Sequence, residues 1–380
     1  MRIAILGAGP SGLYLAYLLK RAKFPADIEV IEQNPRDATF GFGLGFSESA
    51  LEFLDAEDPE THAAITPAME FWNDSNLYLK GQQVRIDGMR YAGIGRLALL
   101  RILQARAQSV GIVPTYQKAI TKPEDIGEAA LIVGADGANS VVRRAHEEAF
   151  GTTVKLLKNR FAWYGTHKKF AALSHTFVET ELGTFNAHHH PHASDMSTFV
   201  VEMDEATFFR AGFDKMPQPE AKDLCTKIFA DTLQDHELIS NNSIWRQFPR
   251  IATQSWSVGN RVLLGDALHT AHFSIGSGTR LAMEDAIALA KALIASPRDM
   301  PQALADYESA RKPVMIKLLN AANTSSDWYE EFPKHMQLSP IEFAYSYITR
   351  SERVDMERLR KSSPEFVAAY EAHLAKTHKH

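Results

Sequence analysis

Short aliphatic runs alternate with amphipathic stretches at the start of the chain. Residues 2–6 form a β-branched and aliphatic run, residues 13–21 have helical spacing, and residues 28–32 form a second short run. A strand, a helix and a strand within about 30 residues predict a βαβ unit with parallel strands. The same patterns predict further elements, namely strands at 131–135 and 261–264 and helices at 97–109 and 279–295.

The hydrophobic pattern changes between residues 154 and 251, where short alternating runs predict an antiparallel sheet. These runs are 161–166, 175–180, 184–188 and 196–202. From residue 307 onward the pattern is mainly helical, with Pro313, Pro333 and Pro340 predicted to interrupt the helices.

The predicted fold class is α/β, with a Rossmann-like dinucleotide-binding domain in which a parallel sheet lies between helices. A mainly antiparallel β-sheet substrate domain interrupts it, and a helical C-terminal segment follows. The predicted boundaries are 1–70, 91–153 and 252–312 for the discontinuous nucleotide domain, 71–90 and 154–251 for the β-sheet domain, and 313–380 for the helical segment.

Composition narrows the functional classes. The 380 residues are 45% hydrophobic and 23% charged, with a net charge of -5, so nothing favours a nucleic-acid partner. The single cysteine, Cys225, excludes a disulfide within the chain and is compatible with a reducing compartment. Without a signal-peptide pattern or a stretch of 18 apolar residues, we expect a cytoplasmic protein with no membrane partner.

Residues 7–12 read G-A-G-P-S-G, directly after the first predicted strand and at the start of the first helix. Gly7 permits a tight turn, Gly9 lets the backbone approach a pyrophosphate, and Gly12 allows close packing of helix and strand. Glu32 ends the second strand, where a carboxylate accepts hydrogen bonds from a ribose. The motif predicts a bound dinucleotide, and by itself it is compatible with both FAD and NAD.

Two further motifs follow the other predicted parallel strands. Residues 136–143 read D-G-A-N-S-V-V-R, and residues 265–269 read G-D-A-L-H. Each places an aspartate at the carboxyl end of a strand, which is where open α/β sheets bind ligands. The glycine-containing turn at 276–278 precedes a predicted helix, whose N-terminus favours an anionic ligand.

The three motifs in this order resemble the FAD-dependent aromatic hydroxylases of the p-hydroxybenzoate hydroxylase type (group A flavin monooxygenases), over residues 1 to about 313. Segments 161–166, 196–202 and 272–279 resemble a subgroup that includes salicyloyl-CoA hydroxylase, 2-aminobenzoyl-CoA monooxygenase and the violacein-pathway hydroxylase. The chain departs from the family after G-D-A-x-H, where His272 and Phe273 stand in place of the usual proline stretch.

The resemblance implies FAD as the cofactor and NADH or NADPH as the reductant, with the choice between the two reductants open. It implies that the cofactor-binding residues are Gly7, Gly9, Pro10, Ser11, Gly12, Glu32, Gly43, Leu44, Arg96, Asp136, Gly137, Gly265, Asp266, Ser274, Gly276, Ser277 and Gly278. In the implied reaction, O2 adds to the reduced flavin and the resulting C4a-hydroperoxide transfers one oxygen atom to an aromatic ring.

Candidates for acid–base or hydrogen-bonding roles at the substrate are His188, His272 and Tyr164, because histidine titrates near neutral pH and the tyrosine lies in a pocket-forming strand. Core positions are the alternative for each. We interpret His189, His190 and His192 as solvated turn residues. No metal site is expected, since no acidic or cysteine partners follow the histidines at ligand spacing.

Two other functions remain open on the same scaffold, namely an FAD-dependent reductase or dehydrogenase and a non-catalytic flavoprotein redox partner. For the main hypothesis the predicted substrate is a small aromatic compound, either an aryl-CoA thioester or an indole derivative. A basic group that could serve a CoA phosphate, or form a solvated sheet edge, consists of Lys155, Lys158, Arg160, Lys168 and Lys169.

Overall fold

The computed structural model of the chain describes residues 1–47 and 51–377. Its strands are β1 Arg2–Leu6, β2 Asp27–Ile31, β3 Gly43–Ser47, β4 Glu70–Trp72, β5 Ser75–Leu79, β6 Gln82–Ile86, β7 Tyr91–Gly95, β8 Leu131–Gly134, β9 Thr152–Leu156, β10 Arg160–Thr166, β11 Leu173–Thr180, β12 Gly183–Ala193, β13 Met196–Met203, β14 Ile239–Ser240, β15 Pro249–Thr253, β16 Ser257–Val258 and β17 Arg261–Leu263. Its α-helices are α1 Pro10–Arg21, α2 Glu52–Glu57, α3 Pro59–Ile65, α4 Arg96–Ser109, α5 Val141–Ala145, α6 Glu147–Phe150, α7 Glu205–Arg210, α8 Gln218–Ile228, α9 Ala230–Leu233, α10 Gly278–Ala295, α11 Met300–Glu330, α12 Phe332–His335, α13 Pro340–Thr349, α14 Met356–Ser362 and α15 Pro364–Thr377.

The aliphatic runs recognised in the sequence form a five-stranded sheet in the order β16-β17-β8-β1-β2. Strands β17, β8, β1 and β2 are parallel, and β16 pairs antiparallel with β17 at one edge. Helix α1 begins with Pro10 in its first turn and ends with Lys20 and Arg21, which suit the two ends of a helix dipole. It packs against α4 and α10, and the fully buried core lies between these helices and the sheet.

The alternating runs of the middle region form a seven-stranded sheet in the order β14-β10-β13-β12-β11-β5-β6. It is antiparallel except for the parallel pair β11 and β5. Strands β5 and β6 come from a much earlier part of the chain than their neighbours. The α/β fold class is confirmed, and the domain boundaries predicted from the sequence stay a proposal.

The interpretation of His189, His190 and His192 as solvated turn residues is wrong. Strand β12 continues through all three, and their exposed fractions are 0%, 7% and 6%. Burial is tolerated because each ring has a hydrogen-bond partner: Thr176 for His189, the Pro191 carbonyl for His190 and Thr198 for His192. A run of polar residues therefore continues a strand when its neighbours supply hydrogen-bond partners.

The C-terminal segment is helical, as predicted, but Pro313 does not interrupt it. Helix α11 runs through Pro313 without a break. A proline removes one backbone hydrogen bond from a helix. The two residues before Pro313 hold α11 in place, because Arg311 forms an ion pair with Asp285 and Lys312 forms one with Glu308. None of the helices among the described residues combines the length and apolar character needed to cross a membrane.

A second core cluster joins the C-terminal helices to the antiparallel sheet. Phe343 of α13 is fully buried there, with ring centroids 4.7 Å from Phe177 and 5.5 Å from Trp328. This cluster fixes α13 over the face of the sheet, and α13 in turn forms one wall of the cavity described below.

We expect Phe343→Ala to lower the free energy of unfolding by about 3–5 kcal/mol, because it leaves a cavity between α13 and the sheet. Denaturant unfolding of the purified, ligand-free protein measures the change. Phe71→Ala is the control, since Phe71 is 52% exposed and its loss is expected to change stability by less than about 0.5 kcal/mol. Equal losses for the two variants would contradict this account of the C-terminal packing.

Candidate active site

One continuous cavity of about 1210 Å³ runs along the carboxyl edge of the parallel sheet and beneath the antiparallel sheet. Its wall includes residues from all three sequence motifs, from β3, and from the segment around α13. Pockets for ordinary small ligands occupy about 300–1,000 Å³. This cavity therefore has room for a ligand larger than a single small molecule.

The glycine loop after β1 closes tightly on the neighbouring backbone. Gly7 has a φ of 103°, and a Cβ there would lie 2.2 Å from the Ala135 carbonyl oxygen. A Cβ on Gly12 would lie 2.0 Å from the Gly7 oxygen, whereas a Cβ on Gly9 would have no neighbour within 4 Å. No described side chain caps α1, so the N–H groups of its first turn, at Ser11 and Gly12, remain for an anionic ligand.

Glu32 is fixed at the wall of the cavity near this loop. Its carboxylate accepts three hydrogen bonds, from the Ala8 N–H at 2.9 Å, from the Asn34 N–H at 2.8 Å and from the Asn34 side-chain amide at 2.7 Å. A carboxylate has about four acceptor positions. The capacity that remains is available for ribose hydroxyl groups, which is the role predicted for Glu32 from the sequence.

The loop after β8 contains a buried carboxylate, that of Asp136, and only one of its two oxygens accepts a hydrogen bond from the described residues. Asp136 Oδ2 accepts the Val141 N–H at 2.7 Å, whereas the buried Oδ1 has no partner among the described residues. Burial raises the pKa of Asp136. Arg143, the last residue of the motif, donates to the carbonyl of Ala267 at 2.7 Å and to that of Ala138. It therefore ties this loop to the loop after β17.

Asp285, a residue that the sequence analysis missed, fixes the loop after β17. Its fully buried carboxylate accepts the Gly265 N–H at 3.1 Å, contacts Nε2 of His269 at 2.8 Å, and accepts Nε of Arg311 at 2.9 Å. Burial alone raises the pKa of Asp285, but His269 and Arg311 outweigh it and hold the pKa below its ordinary value. The histidine of the G-D-A-x-H motif thus holds the turn, and Asp266 next to it lines the cavity.

At the inner end of this groove, a stacked arginine faces the glycine-rich strand β3. The Arg96 guanidinium lies 4.8 Å from the Trp163 ring, and its buried Nε has no partner in the described part of the chain. Burial lowers the pKa of Arg96 to about 10, although Asp266 opposes the shift. Gly43 and Leu44 also line the groove, and a Cβ on Gly43 would lie 2.5 Å from the His192 side chain.

The turn before α10 closes the opposite side of the groove. Ser274, Gly276, Ser277 and Gly278 all line the cavity. Gly276 is left-handed, with a φ of 58°, and a Cβ there would lie 3.1 Å from the Gly45 carbonyl oxygen. The turn and β3 therefore lie close enough to enclose a flat ligand between them.

A second chamber of the cavity lies between the antiparallel sheet and α13. His188 lines it, with Nδ1 3.1 Å from Nε2 of His175 and Nε2 3.3 Å from Oε2 of Glu202. Burial lowers the pKa of both imidazoles, well below the ordinary value for His175. The ring of His188 stacks on Tyr329 at 4.9 Å and meets the edge of Phe273 at 5.3 Å.

Two of the predicted substrate-contacting residues lie outside this chamber. Tyr164 is 1% exposed and faces the core beside Cys225, and its neighbour Trp163 lines the cavity instead, because side chains alternate along β10. His272 is buried behind the wall, with Nδ1 2.9 Å from the Ser274 hydroxyl and its ring stacked on Phe273 at 4.2 Å. His272 therefore supports the turn that carries Ser274.

Comparison with known proteins identifies the family. Residues 121–322 match a family described as FAD binding domain, and residues 5–39 match one described as NAD(P)-binding Rossmann-like domain. The chain is 38% identical to a salicyloyl-CoA 5-hydroxylase of Streptomyces sp over 361 residues, which are 92% of this chain and 70% of the relative. It is 34% identical to a 3-hydroxy-4-methyl-anthranilyl-[aryl-carrier protein] 5-monooxygenase of Streptosporangium sibiricum over 333 residues, covering 88% of this chain and 90% of the relative.

The chain belongs to the FAD-dependent aromatic hydroxylases. It is an FAD-dependent monooxygenase that hydroxylates an aromatic substrate with NAD(P)H and O2, and these findings favour that function over a reductase or a redox partner. The fold agrees with that of the tetrameric form of 2-methyl-3-hydroxypyridine-5-carboxylic acid oxygenase, with a TM-score of 0.68 at 17% identity over 92% of this chain and 95% of that chain.

The cavity of this hydroxylase fits FAD on independent structural grounds. The open side of Gly9 and the uncapped start of α1 suit a pyrophosphate. The unpartnered atoms Asp136 Oδ1 and Arg96 Nε are a buried acceptor and a buried donor, both belonging to residues that line the same cavity. Buried polar atoms without partners are costly, so a ligand that supplies the missing bonds is favoured.

The cavity of the hydroxylase brings together all of the predicted cofactor-binding residues except Gly12, which packs behind the loop, and Gly265, which is held by Asp285. The sequence did not indicate His175 and Tyr347, which line the second chamber, or Glu202, which lies behind its wall against His188. No motif identifies them, because each lies on a different element and they meet only across the sheet and α13.

Two glycine variants are expected to separate an effect on the melting temperature from an effect on FAD affinity. Gly12→Ala forces a Cβ against the Gly7 carbonyl and is expected to lower the melting temperature of the FAD-free hydroxylase. Gly9→Ala meets no protein atom and is expected to keep the melting temperature while weakening FAD binding about tenfold or more, by obstructing the pyrophosphate. Thermal unfolding and FAD titration measure the two effects. Unchanged FAD affinity in Gly9→Ala would place the pyrophosphate elsewhere.

Proposed function

We propose that the enzyme hydroxylates the aromatic ring of an acyl thioester, with the ring in the chamber beside His188 and the phosphate-bearing carrier at the exposed end of the cavity. The observation that carries this proposal is a set of arginines on that part of the cavity wall. They are Arg90, after the turn that follows β6, Arg353, in the loop between α13 and α14, and Arg358, in α14.

The charges of two of these arginines, Arg353 and Arg358, have no acidic partner among the described residues. All three arginines are exposed. Within the described part of the chain, the Arg358 guanidinium donates to the Arg353 carbonyl, at 3.3 Å, and to no other group. Guanidinium groups bind phosphates through paired, charge-assisted hydrogen bonds. This end of the cavity therefore suits the phosphates of a pantetheine carrier.

The basic group predicted from the sequence does not serve this purpose, since none of its members lines the cavity. Arg160 pairs with Glu205 at 3.1 Å, and Lys169 pairs with Glu70 at 3.1 Å. Lys168 donates to the Thr232 carbonyl at 2.6 Å. These three side chains already have hydrogen-bond or ion-pair partners within the protein. The cavity arginines, by contrast, come from segments that are far apart in the sequence.

The names of two relatives support the same substrate class. One acts on salicyloyl-CoA and the other on an anthranilyl group bound to an aryl-carrier protein. Both names describe an aromatic acyl group attached to a carrier. For the present enzyme we therefore propose a thioester in preference to an indole derivative.

The second chamber has the surfaces needed to orient an aromatic ring. Trp163, Phe248 and Phe273 supply aromatic faces, and Val200 and Leu173 supply aliphatic contacts. When bound, FAD supplies the redox chemistry and the activation of oxygen. The protein contributes by holding the ring in one orientation and by excluding water from the enclosed chamber.

Product analysis tests the proposal. FAD-loaded enzyme is supplied with NADH or NADPH and with benzoyl-CoA derivatives, the matching free acids, or indoles. We expect oxygen uptake and a product heavier by one oxygen atom with a hydroxy- or aminobenzoyl-CoA thioester. Hydroxylation of the free acids or indoles, with the thioesters inert, would contradict the proposed substrate class.

Replacing Arg353 and Arg358 together by Ala is expected to raise KM for a CoA thioester about tenfold with little change in kcat, because exposed phosphate contacts contribute modestly. The matched control is Arg360→Ala, since Arg360 is exposed, pairs with Glu371 at 2.8 Å and does not line the cavity. Steady-state kinetics measure both. The same KM in the double variant and the control would remove the arginines from carrier binding.

A further inference from the structure

Arg350, the residue directly after α13, lines the cavity and is held in place through all three of its side-chain nitrogens. Nε donates to the Ser325 hydroxyl at 3.0 Å, Nη1 to the Tyr347 carbonyl at 2.6 Å, and Nη2 to the Ser274 carbonyl at 2.7 Å. The guanidinium carbon also lies 3.9 Å from the Tyr347 ring centroid. Three hydrogen bonds and one stacking contact therefore fix the orientation of the guanidinium.

The positive charge of Arg350 has no counter-charge in the described structure. Its three hydrogen-bond partners are one hydroxyl and two carbonyl groups, and no carboxylate among the described residues forms an ion pair with it. Arginine does not lose its proton in proteins. A charge that is withdrawn from water without an opposite partner is costly, so a ligand that brings negative charge or strong acceptors to this site is favoured.

The histidines around Arg350 do not supply this counter-charge. Burial lowers the pKa of His175, of His188 and of His272, and the Arg350 charge lowers each of them further. These imidazoles are therefore neutral at neutral pH, and a neutral imidazole carries no negative charge. Arg350 is thus a fixed positive group beside neutral side chains.

The guanidinium keeps two donors for a ligand. A guanidinium has five N–H groups in one plane. Three of them donate to the protein groups described above, so Nη1 and Nη2 each keep one. Because the Tyr347 ring covers one face of the guanidinium, a ligand approaches these donors along the edge of the plane. Two donors on a rigid plane match two acceptor oxygens that are themselves coplanar.

We propose that Arg350 determines substrate specificity by donating to two oxygens of the substrate, the thioester carbonyl oxygen and a hydroxyl oxygen on the adjacent ring carbon. The inference rests on the proposed function for the thioester. In a 2-hydroxybenzoyl thioester these two oxygens lie side by side in the plane of the ring. Arg350 therefore holds the acyl-bearing edge of the ring at the end of α13 and leaves the opposite edge free.

A guanidinium only donates hydrogen bonds, and this property selects the substituent beside the acyl group. A hydroxyl oxygen accepts an N–H of Arg350 and still directs its own hydrogen to the carbonyl oxygen. An amino group at the same position turns N–H groups toward Arg350, because its lone pair is delocalised into the ring. One donor of Arg350 is then left buried without a partner. We therefore expect 2-aminobenzoyl thioesters to bind at least about tenfold more weakly than 2-hydroxybenzoyl thioesters.

The selection is tested by binding to the wild-type enzyme, without turnover. Oxidised, FAD-loaded enzyme is titrated in the absence of NADH and NADPH with 2-hydroxybenzoyl-CoA and with 2-aminobenzoyl-CoA, and calorimetry measures the two dissociation constants. We expect the 2-hydroxy compound to bind about tenfold or more tightly. Equal affinities, or tighter binding of the 2-amino compound, would overturn the inference, and this comparison requires no variant to fold.

A variant assigns the selection to Arg350. Arg350→Gln removes the charge and the two free donors, so we expect it to weaken binding of 2-hydroxybenzoyl-CoA about tenfold or more and that of 2-aminobenzoyl-CoA less than about threefold. Arg360→Gln is the matched control and is expected to keep the wild-type ratio, because Arg360 pairs with Glu371 at 2.8 Å and does not line the cavity. Weaker FAD binding in Arg350→Gln with an unchanged ratio of the two thioesters would assign Arg350 to the cofactor and overturn the inference.

Failure of the proposed function is distinguishable from failure of this inference. If neither thioester binds the wild-type enzyme, the proposed substrate class is contradicted, and 2-hydroxybenzoate and 2-aminobenzoate replace the thioesters in the titrations. A free carboxylate also presents an oxygen beside the ring substituent, so the same comparison applies. Tighter binding of 2-hydroxybenzoate that is lost in Arg350→Gln would support the inference, whereas equal binding of the two acids would overturn it.

Discussion

The cofactor groove depends on one buried carboxylate, that of Asp285. It joins the start of the Gly265 turn, the histidine of the G-D-A-x-H motif and Arg311 of α11 at one point with no exposure to solvent. A buried carboxylate is costly unless it is paired and hydrogen-bonded, and here three donors compensate it. Removing any one donor leaves charge uncompensated, so the turn, α10 and α11 are held in a single arrangement.

Arg143 extends this constraint to the rest of the groove. It donates to carbonyls in both the Asp136 loop and the Gly265 loop, so the ends of β8 and β17 are fixed relative to each other. The backbone of Gly7 already lies against Ala135, at the end of β8. The three strand ends are therefore connected by short-range contacts, and the groove that they form is pre-organised for one extended ligand.

The antiparallel sheet and the C-terminal helices enclose the second chamber next to this groove. The hydrophobic cluster around Phe343 holds α13 over the sheet, and α13 carries Tyr347 toward His175. Arg350 at the end of the same helix donates to the carbonyl of Ser274, in the turn that borders the cofactor groove. The C-terminal segment thus links the second chamber to the groove lined by the three sequence motifs, and its packing affects both.

The sequence by itself determined the nucleotide-binding part of the protein, because glycine turns, strand ends and helix N-termini are local features with fixed spacing. It also gave His188 as a candidate for contact with the substrate, and His188 lines the cavity. It placed His189, His190 and His192 in a turn, because local composition does not reveal which partners satisfy a buried ring. Tertiary structure alone decided the positions of Asp285, Glu202, Tyr347 and the cavity arginines. These residues come from elements far apart in the chain, and their chemistry arises only when long-range packing brings them within hydrogen-bonding or electrostatic reach.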